Sequence, residues 1–131
     1  MQTIEIGQIV ETRYNSGTYI GKVIQDKGNF LLVETLAVLE HPTQGDLHNR
    51  GQVDGVAFHE RKALAEREKF NARKRDTVPF AGDVPTYADS LQEAVQRKKE
   101  ELQAENTPFN QLSLERIADL EEHYYNKIYT N

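Results

Sequence analysis

The side chains best suited to bind a ligand or catalyse a reaction are concentrated in one stretch, from Leu39 to Ala65. It contains three of the chain's four histidines, His41, His48 and His59, and also Asp46, Asp54 and Glu60. Catalytic zinc sites use three such ligands and keep a fourth position open. The stretch therefore predicts one of two things. It is either a metal-dependent enzyme site built on the His41, His48 and His59 cluster, or a long polar connector.

The spacing of the three histidines favours the connector. They are seven and eleven residues apart, and they form no His-Glu-x-x-His pair on a helix. As connector residues, His41 would close a strand, His48 would hydrogen-bond within the loop, and His59 would precede a helix. We therefore expect no metal, no cofactor and no catalytic residue, and we predict that the chain is not an enzyme.

Composition restricts the partners. The 131 residues include 16 basic and 21 acidic side chains, for a net charge of −5, which is a poor match to nucleic-acid phosphates. We expect no nucleic-acid partner and no small-molecule substrate. An RNA-binding small β-barrel stays open as an alternative, because Arg73, Lys74 and Arg75 form a basic run.

The absence of cysteine excludes disulfides and thiolate metal sites. No apolar stretch approaches the ~20 residues of a membrane span, so we expect a cytoplasmic protein.

The first third of the sequence predicts strands. Gly7–Tyr14 and Thr18–Gln25 are rich in β-branched and aromatic residues, and Asn15–Gly17 between them suits a tight hairpin. After a second turn at Asp26–Asn29, Phe30–Glu40 is apolar on both faces. This pattern favours a long, bent strand of a small barrel, with a buried helix as the competing interpretation.

The rest of the sequence predicts mainly helices. We expect a short strand at Val56–Phe58, a helix from Glu60, and an ordered linker over Asp76–Thr86. Thr86 and Thr107 are suited to cap two further helices, and Pro108 occupies a favoured first helical position. The apolar face of the last helix is predicted to contain Phe109, Leu112, Ile117, Leu120, Tyr124 and Ile128.

These elements predict an α+β fold. It has an N-terminal small SH3-like β-barrel over residues 1–58, followed by a C-terminal helical region with a helix pair over residues 59–131. We expect the two parts to pack into one compact unit. Tyr14 and Tyr19 flank the first turn and are either an aromatic groove for a proline-rich peptide or ordinary aromatics of the barrel.

Four segments in sequence order also resemble a known family, the kinase-associated protein B family, also called kinase-associated lipoprotein B. They are YNSGTYIGKV (14–23), LAVLEHPTQGDLH (36–48), FHERKALA (58–65) and VPTYADSLQEA (84–94). The resemblance implies an SH3-like barrel followed by helices. It also implies a role in the sporulation phosphorelay, as a non-catalytic accessory protein that activates a sensor histidine kinase in two-component signalling. Because the chain has no cysteine to acylate, we expect it to reach the membrane only indirectly, through that kinase.

The connector is the predicted partner-binding surface, because binding residues concentrate in loops held by a rigid scaffold. An equally open interpretation is that these polar residues only form the internal hydrogen bonds that a long loop needs. The candidate residues are His41, Pro42, Asp46, His48, Phe58, His59, Glu60 and Arg61.

Overall fold

The computed structural model describes residues 3–46 and 48–130. The described chain is α+β, with a five-stranded antiparallel sheet in the order β4-β3-β2-β1-β5. The strands are β1 Ile9–Tyr14, β2 Gly17–Asp26, β3 Phe30–Glu40, β4 Lys69–Arg73 and β5 Val78–Pro79. The helices are α1 Tyr87–Gln103, α2 Pro108–Leu120 and α3 Asn126–Tyr129, with a 3-10 turn at Lys74–Asp76 and a π-helical turn at Glu121–Tyr125.

The β1–β2 hairpin confirms the turn expected near Asn15. Tyr14 pairs with Gly17, so the loop consists of Asn15 and Ser16, both with positive φ. Positive φ at both positions gives the twist that a two-residue hairpin requires. The Ser16 hydroxyl then accepts a hydrogen bond from the Thr43 N–H (3.0 Å), which ties the hairpin tip to the connector.

The long strand β3 is bent by bulges, as its two-faced apolar pattern predicted. Thr35 pairs with Gly21 and Ala37 with Ile20, so Leu36 between them has no partner on β2. Leu39 is skipped in the same way, between Val38 and Glu40. Each bulge adds one residue to β3 and increases the local twist, so side chains on both faces become buried.

The predicted helix from Glu60 is wrong, and so is the predicted short strand at Val56–Phe58. Residues 56–68 form no regular element, and Lys69–Arg73 is strand β4, paired with Phe30–Glu34 of β3. Phe70 and Ala72 are buried between exposed neighbours, which is the alternation of a half-buried strand. Arg67 has a φ of 69°, outside the helical region. Pairing with β3 therefore overrides the helix propensity of this segment.

The sheet is not closed into a barrel, so the predicted SH3-like closure is not confirmed. β4 is one edge, and β5 at the other edge pairs with only Val10 and Glu11 of β1. β5 has two residues, and Pro79 lacks the N–H needed to extend the ladder. Both β4 and β5 lie beyond residue 58, so the sheet takes strands from both sides of the predicted division.

Both predicted caps of the helix pair are confirmed. Thr86 Oγ1 accepts from the Asp89 N–H (3.2 Å) and Thr107 Oγ1 from the Asn110 N–H (3.1 Å). Helix α1 lies on β3, where the Ser90 hydroxyl accepts from the Val38 N–H (3.0 Å). Strand and helix side chains share one hydrophobic cluster.

The prediction that Tyr124 lies on the apolar face is wrong. The π-helical turn spans Glu121–Tyr125 and places one more residue in the turn than an α-helix would. After buried Leu120, the next inward side chain is therefore Tyr125, which is fully buried, while Tyr124 is 45% exposed. This change of phase brings the Tyr125 hydroxyl within hydrogen-bonding distance of His41 and of the Ala63 N–H.

Candidate partner-binding surface

His41 anchors the start of the connector inside the protein. It is fully buried, and its Nε2 lies 2.8 Å from the Tyr125 hydroxyl. That hydroxyl accepts from the Ala63 N–H (2.9 Å), so its own proton points to His41 Nε2. The Nδ1–H of His41 then donates to the Pro42 carbonyl (3.0 Å). Burial lowers the pKa of His41 to about 4, so the ring is neutral at pH 7.

Gln44 holds the two ends of the connector together. Its Oε1 accepts from the Arg61 N–H (2.8 Å), and its Nε2 donates to the Arg61 carbonyl (2.9 Å). The Gly45 N–H donates to the His59 carbonyl beside this pair (2.9 Å). Because Gln44 is buried, with 3% exposure, these hydrogen bonds are shielded from water and fix the register of the two segments.

Three tyrosine hydroxyls bind the backbone of the irregular segment that leads to β4. Besides the bond from Tyr125 to Ala63, the Tyr19 hydroxyl accepts from the Leu64 N–H (3.2 Å), and the Tyr87 hydroxyl donates to the Leu64 carbonyl (2.6 Å). Burial raises the pKa of Tyr19 to about 12 and the pKa values of Tyr87 and Tyr125 above their usual range. Tyr19 is 1% exposed, so it belongs to the interior and not to an aromatic groove.

Phe58 packs the connector against helix α2, and Arg61 bonds to the connector backbone at Gly45. The Phe58 ring meets the Phe109 ring edge-on, with centroids 5.6 Å apart, and the Arg116 guanidinium lies 5.9 Å from the Phe58 centroid. Arg61 Nε donates to the Gly45 carbonyl (3.2 Å). Gly45 has a φ of 96°, and a Cβ there would lie 2.9 Å from the Phe58 ring. Only glycine suits both the backbone and the space.

The other four predicted residues, Asp46, His48, His59 and Glu60, lie on the outer side of the connector. Asp46 is half-buried, and its carboxylate accepts from the Asn49 side-chain amide (3.1 Å) and the His48 N–H (2.9 Å). These hydrogen bonds lower the pKa of Asp46. His48, His59 and Glu60 are exposed. Beside them lies a groove of about 220 Å³, lined in part by Tyr14, Pro42, Glu60 and Arg61.

The structure thus divides the eight predicted residues into two groups. His41, Pro42, Phe58 and Arg61 hold the connector in place, and Asp46, His48, His59 and Glu60 face solvent. The three histidines are not brought together, and within residues 3–46 and 48–130 no three His, Asp or Glu side chains form a group able to hold a metal ion. In the same ranges, no helix has the length and apolarity to cross a membrane.

The sequence did not predict Gln44 and Tyr125, two further side chains that hold the connector in place. A glutamine in a polar loop has no pattern that predicts burial. Because Tyr124 and Tyr125 are adjacent, either could face the core, depending on the phase of the last helix. The π-helical turn is what turns Tyr125 inward.

The fold and the ordered connector define a small α+β protein, with an open five-stranded antiparallel sheet and a C-terminal helix pair. The model of the kinase-associated protein B family matches residues 14–125. Kinase-associated lipoprotein B of Bacillus subtilis (strain 168) is 40% identical over 127 residues, which cover 97% of this chain and 99% of that protein. The crystal structure of kinase-associated protein B from Bacillus cereus superposes with a TM-score of 0.82 and 35% identity, covering 93% of this chain and 98% of the other. The chain belongs to the kinase-associated protein B family.

Proposed function

We propose that this protein is a non-catalytic accessory protein that binds a sporulation sensor histidine kinase and activates it within a phosphorelay. Family membership supports association with a kinase. The observation that carries the proposal is the connector itself. Its exposed side chains stand on a backbone fixed by buried Gln44 and His41.

A rigid loop suits binding because little conformational entropy is lost when the partner docks. The Gln44–Arg61 hydrogen bonds and the His41–Tyr125 contact fix the loop before any partner arrives. His48, His59 and Glu60 then offer donors and acceptors at defined positions. In this account, Asp46 acts mainly through the turn that orients His48.

Activation requires more than binding. A protein that binds the active and inactive kinase equally well changes nothing, whatever its affinity. The connector must therefore bind the active conformation of the kinase more tightly than the inactive one. A tenfold difference in affinity changes the free-energy difference between the two conformations by ~1.4 kcal/mol. Recruitment to the inner face of the membrane would follow from docking on a membrane kinase.

The test is binding of the kinase's cytoplasmic fragment, measured by calorimetry with His48→Ala, Glu60→Ala and the double variant. We expect the double variant to bind at least tenfold more weakly with an unchanged melting temperature. Glu93→Ala is the matched control, because Glu93 is also an exposed glutamate but lies on helix α1. Unchanged affinity in the double variant, or an equal loss in the control, would reject the connector as the docking surface.

A further inference from the structure

A cavity lies where the connector meets the end of helix α1 and the first half of helix α2. It has a volume of about 350 Å³ and three walls, which come from residues 42–44 of the connector, from residues 98–105, and from residues 109–117 of α2. We call it the helix-end cavity. Small-molecule sites in proteins typically have ~300–1,000 Å³, so the helix-end cavity has room for a small molecule only.

Hydrogen bonds hold the walls of the helix-end cavity in place. Gln44 bonds to both the N–H and the carbonyl of Arg61 (2.8 and 2.9 Å), which fixes the connector wall. The Asn110 side-chain amide donates to the Glu105 carbonyl (2.9 Å), which fixes the turn between α1 and α2. A ligand that enters the cavity therefore has little protein backbone to order.

The inner lining combines apolar side chains with one hydroxyl that lacks a partner. Ile117 is fully buried, and Leu102 and Phe109 are half-buried. Ser113 is 1% exposed, and its Oγ has no hydrogen-bond partner among the described residues. A buried hydroxyl without a partner is unfavourable and uncommon. A polar atom of a bound molecule would remove this cost.

Lys98 brings a largely buried positive charge to the same cavity. Its side chain is 14% exposed, and its Nζ lies 3.6 Å from the Glu101 carboxylate. This distance is too long for a hydrogen bond, and the Glu101 side chain is 72% exposed. The ammonium has three donors, and this long ion pair leaves them available to an acceptor in the cavity.

The helix-end cavity is bordered by both signs of charge. Glu101 and Glu105 line it together with Lys98, and both glutamates are exposed. A simple anion would meet these carboxylates, and a simple cation would meet the ammonium. A small zwitterion with an apolar body matches the positive charge, the negative charges and the apolar lining at once.

We propose that the helix-end cavity binds a free apolar α-amino acid, as a ligand and not as a substrate. Its carboxylate would accept hydrogen bonds from Lys98 Nζ and Ser113 Oγ. Its ammonium would pair with Glu101 or Glu105, and its side chain would pack on the apolar lining. The terminal residue of a peptide fits less well, because it carries only one of the two charges next to its Cα.

The test is titration of the full chain with leucine, isoleucine, methionine and phenylalanine, followed by calorimetry and by NMR of the backbone amides. We expect at least one of the four to bind saturably and to shift amides within residues 42–44, 98–105 and 109–117. The deaminated and decarboxylated analogues of the tightest ligand should bind about tenfold more weakly or worse, because each leaves one charge of the site unmatched.

Two substitutions assign the binding to this cavity. Lys98→Met should weaken it about tenfold or more, and Lys127→Met is the matched control, because Lys127 is an exposed lysine of α3 that does not line the cavity. Ser113→Ala should weaken binding about threefold or more without lowering the melting temperature, because in the free protein the hydroxyl has no described partner to lose. A purely structural hydroxyl would give the reverse, a lower melting temperature and unchanged binding.

Three further results would overturn the inference. They are no binding of any of the four amino acids at millimolar concentration, equal binding of either analogue, and equal losses in Lys98→Met and Lys127→Met. The kinase takes no part in these measurements. Their failure would therefore leave the proposed function in place, and failure of kinase binding would leave this inference in place.

Discussion

Replacing Tyr125 with phenylalanine removes one oxygen that serves two buried groups. The hydroxyl accepts from the Ala63 N–H and donates to His41 Nε2, at 2.9 and 2.8 Å. Leaving a buried donor or acceptor without a partner costs about 1–3 kcal/mol. Two such groups, less the cost of burying the hydroxyl itself, give an expected loss of about 2–4 kcal/mol in the free energy of unfolding. That is a large part of the ~5–15 kcal/mol typical of a domain.

Urea unfolding followed by circular dichroism measures this loss. Tyr124→Phe is the matched control, because it removes the same atom from the neighbouring tyrosine. Tyr124 is 45% exposed, and its ring lies 4.0 Å from Lys62 Nζ, a contact that phenylalanine keeps. We expect the control to change stability by less than about 0.5 kcal/mol. Equal effects of the two substitutions would refute both the hydrogen-bond account and the phase set by the π-helical turn.

Three further predictions concern the connector and its anchors. Gln44→Ala should speed hydrogen exchange at the Arg61 amide, because it removes the acceptor of that N–H; Gln52→Ala, an exposed glutamine of the same connector, should not. Gly45→Ala should cost about 1–3 kcal/mol more than Gly51→Ala in thermal or urea unfolding. Both glycines have positive φ, but only the Cβ at position 45 meets other atoms, the Phe58 and Phe109 rings, so equal costs would contradict the packing argument. His41 should make stability fall as the pH drops from about 6.5 to 4. In this window the unfolded chain binds a proton that the folded ring, with a pKa of about 4, does not bind. The difference corresponds to about 3 kcal/mol. Unfolding of His41→Gln, measured across the same window, should lack most of this slope, and His59→Gln, which alters an exposed ring, should keep it.

Local chemistry made part of the fold predictable. Asn15 and Gly17 identified the first hairpin, and Thr86, Thr107 and Pro108 identified the helix starts, because each acts through its immediate neighbours. β4 was missed because Lys69–Arg73 has the composition of a helix, and only pairing with β3 makes it a strand. The sheet was predicted to close into a barrel, but β5 consists of two residues, one of them a proline, and so offers few backbone groups for pairing.

The connector was predictable in position but not in structure. The density of histidine, aspartate and glycine identified the connector, and Asp46 and His48 form the predicted turn. The residues that fix it come from distant parts of the chain. Tyr125 lies 84 positions from His41, and the local periodicity of a sequence does not predict contacts between residues so far apart.

Activation is measured most directly as autophosphorylation of the purified sensor kinase, in membranes and as its cytoplasmic fragment, while this protein is titrated in. We expect a saturable rise in the phosphorylation rate. The concentration dependence of that rise should match binding measured in parallel, and His48→Ala with Glu60→Ala should shift both to higher concentration. Saturable binding with an unchanged rate would contradict activation. The absence of binding to both forms of the kinase would contradict the proposed function as a whole.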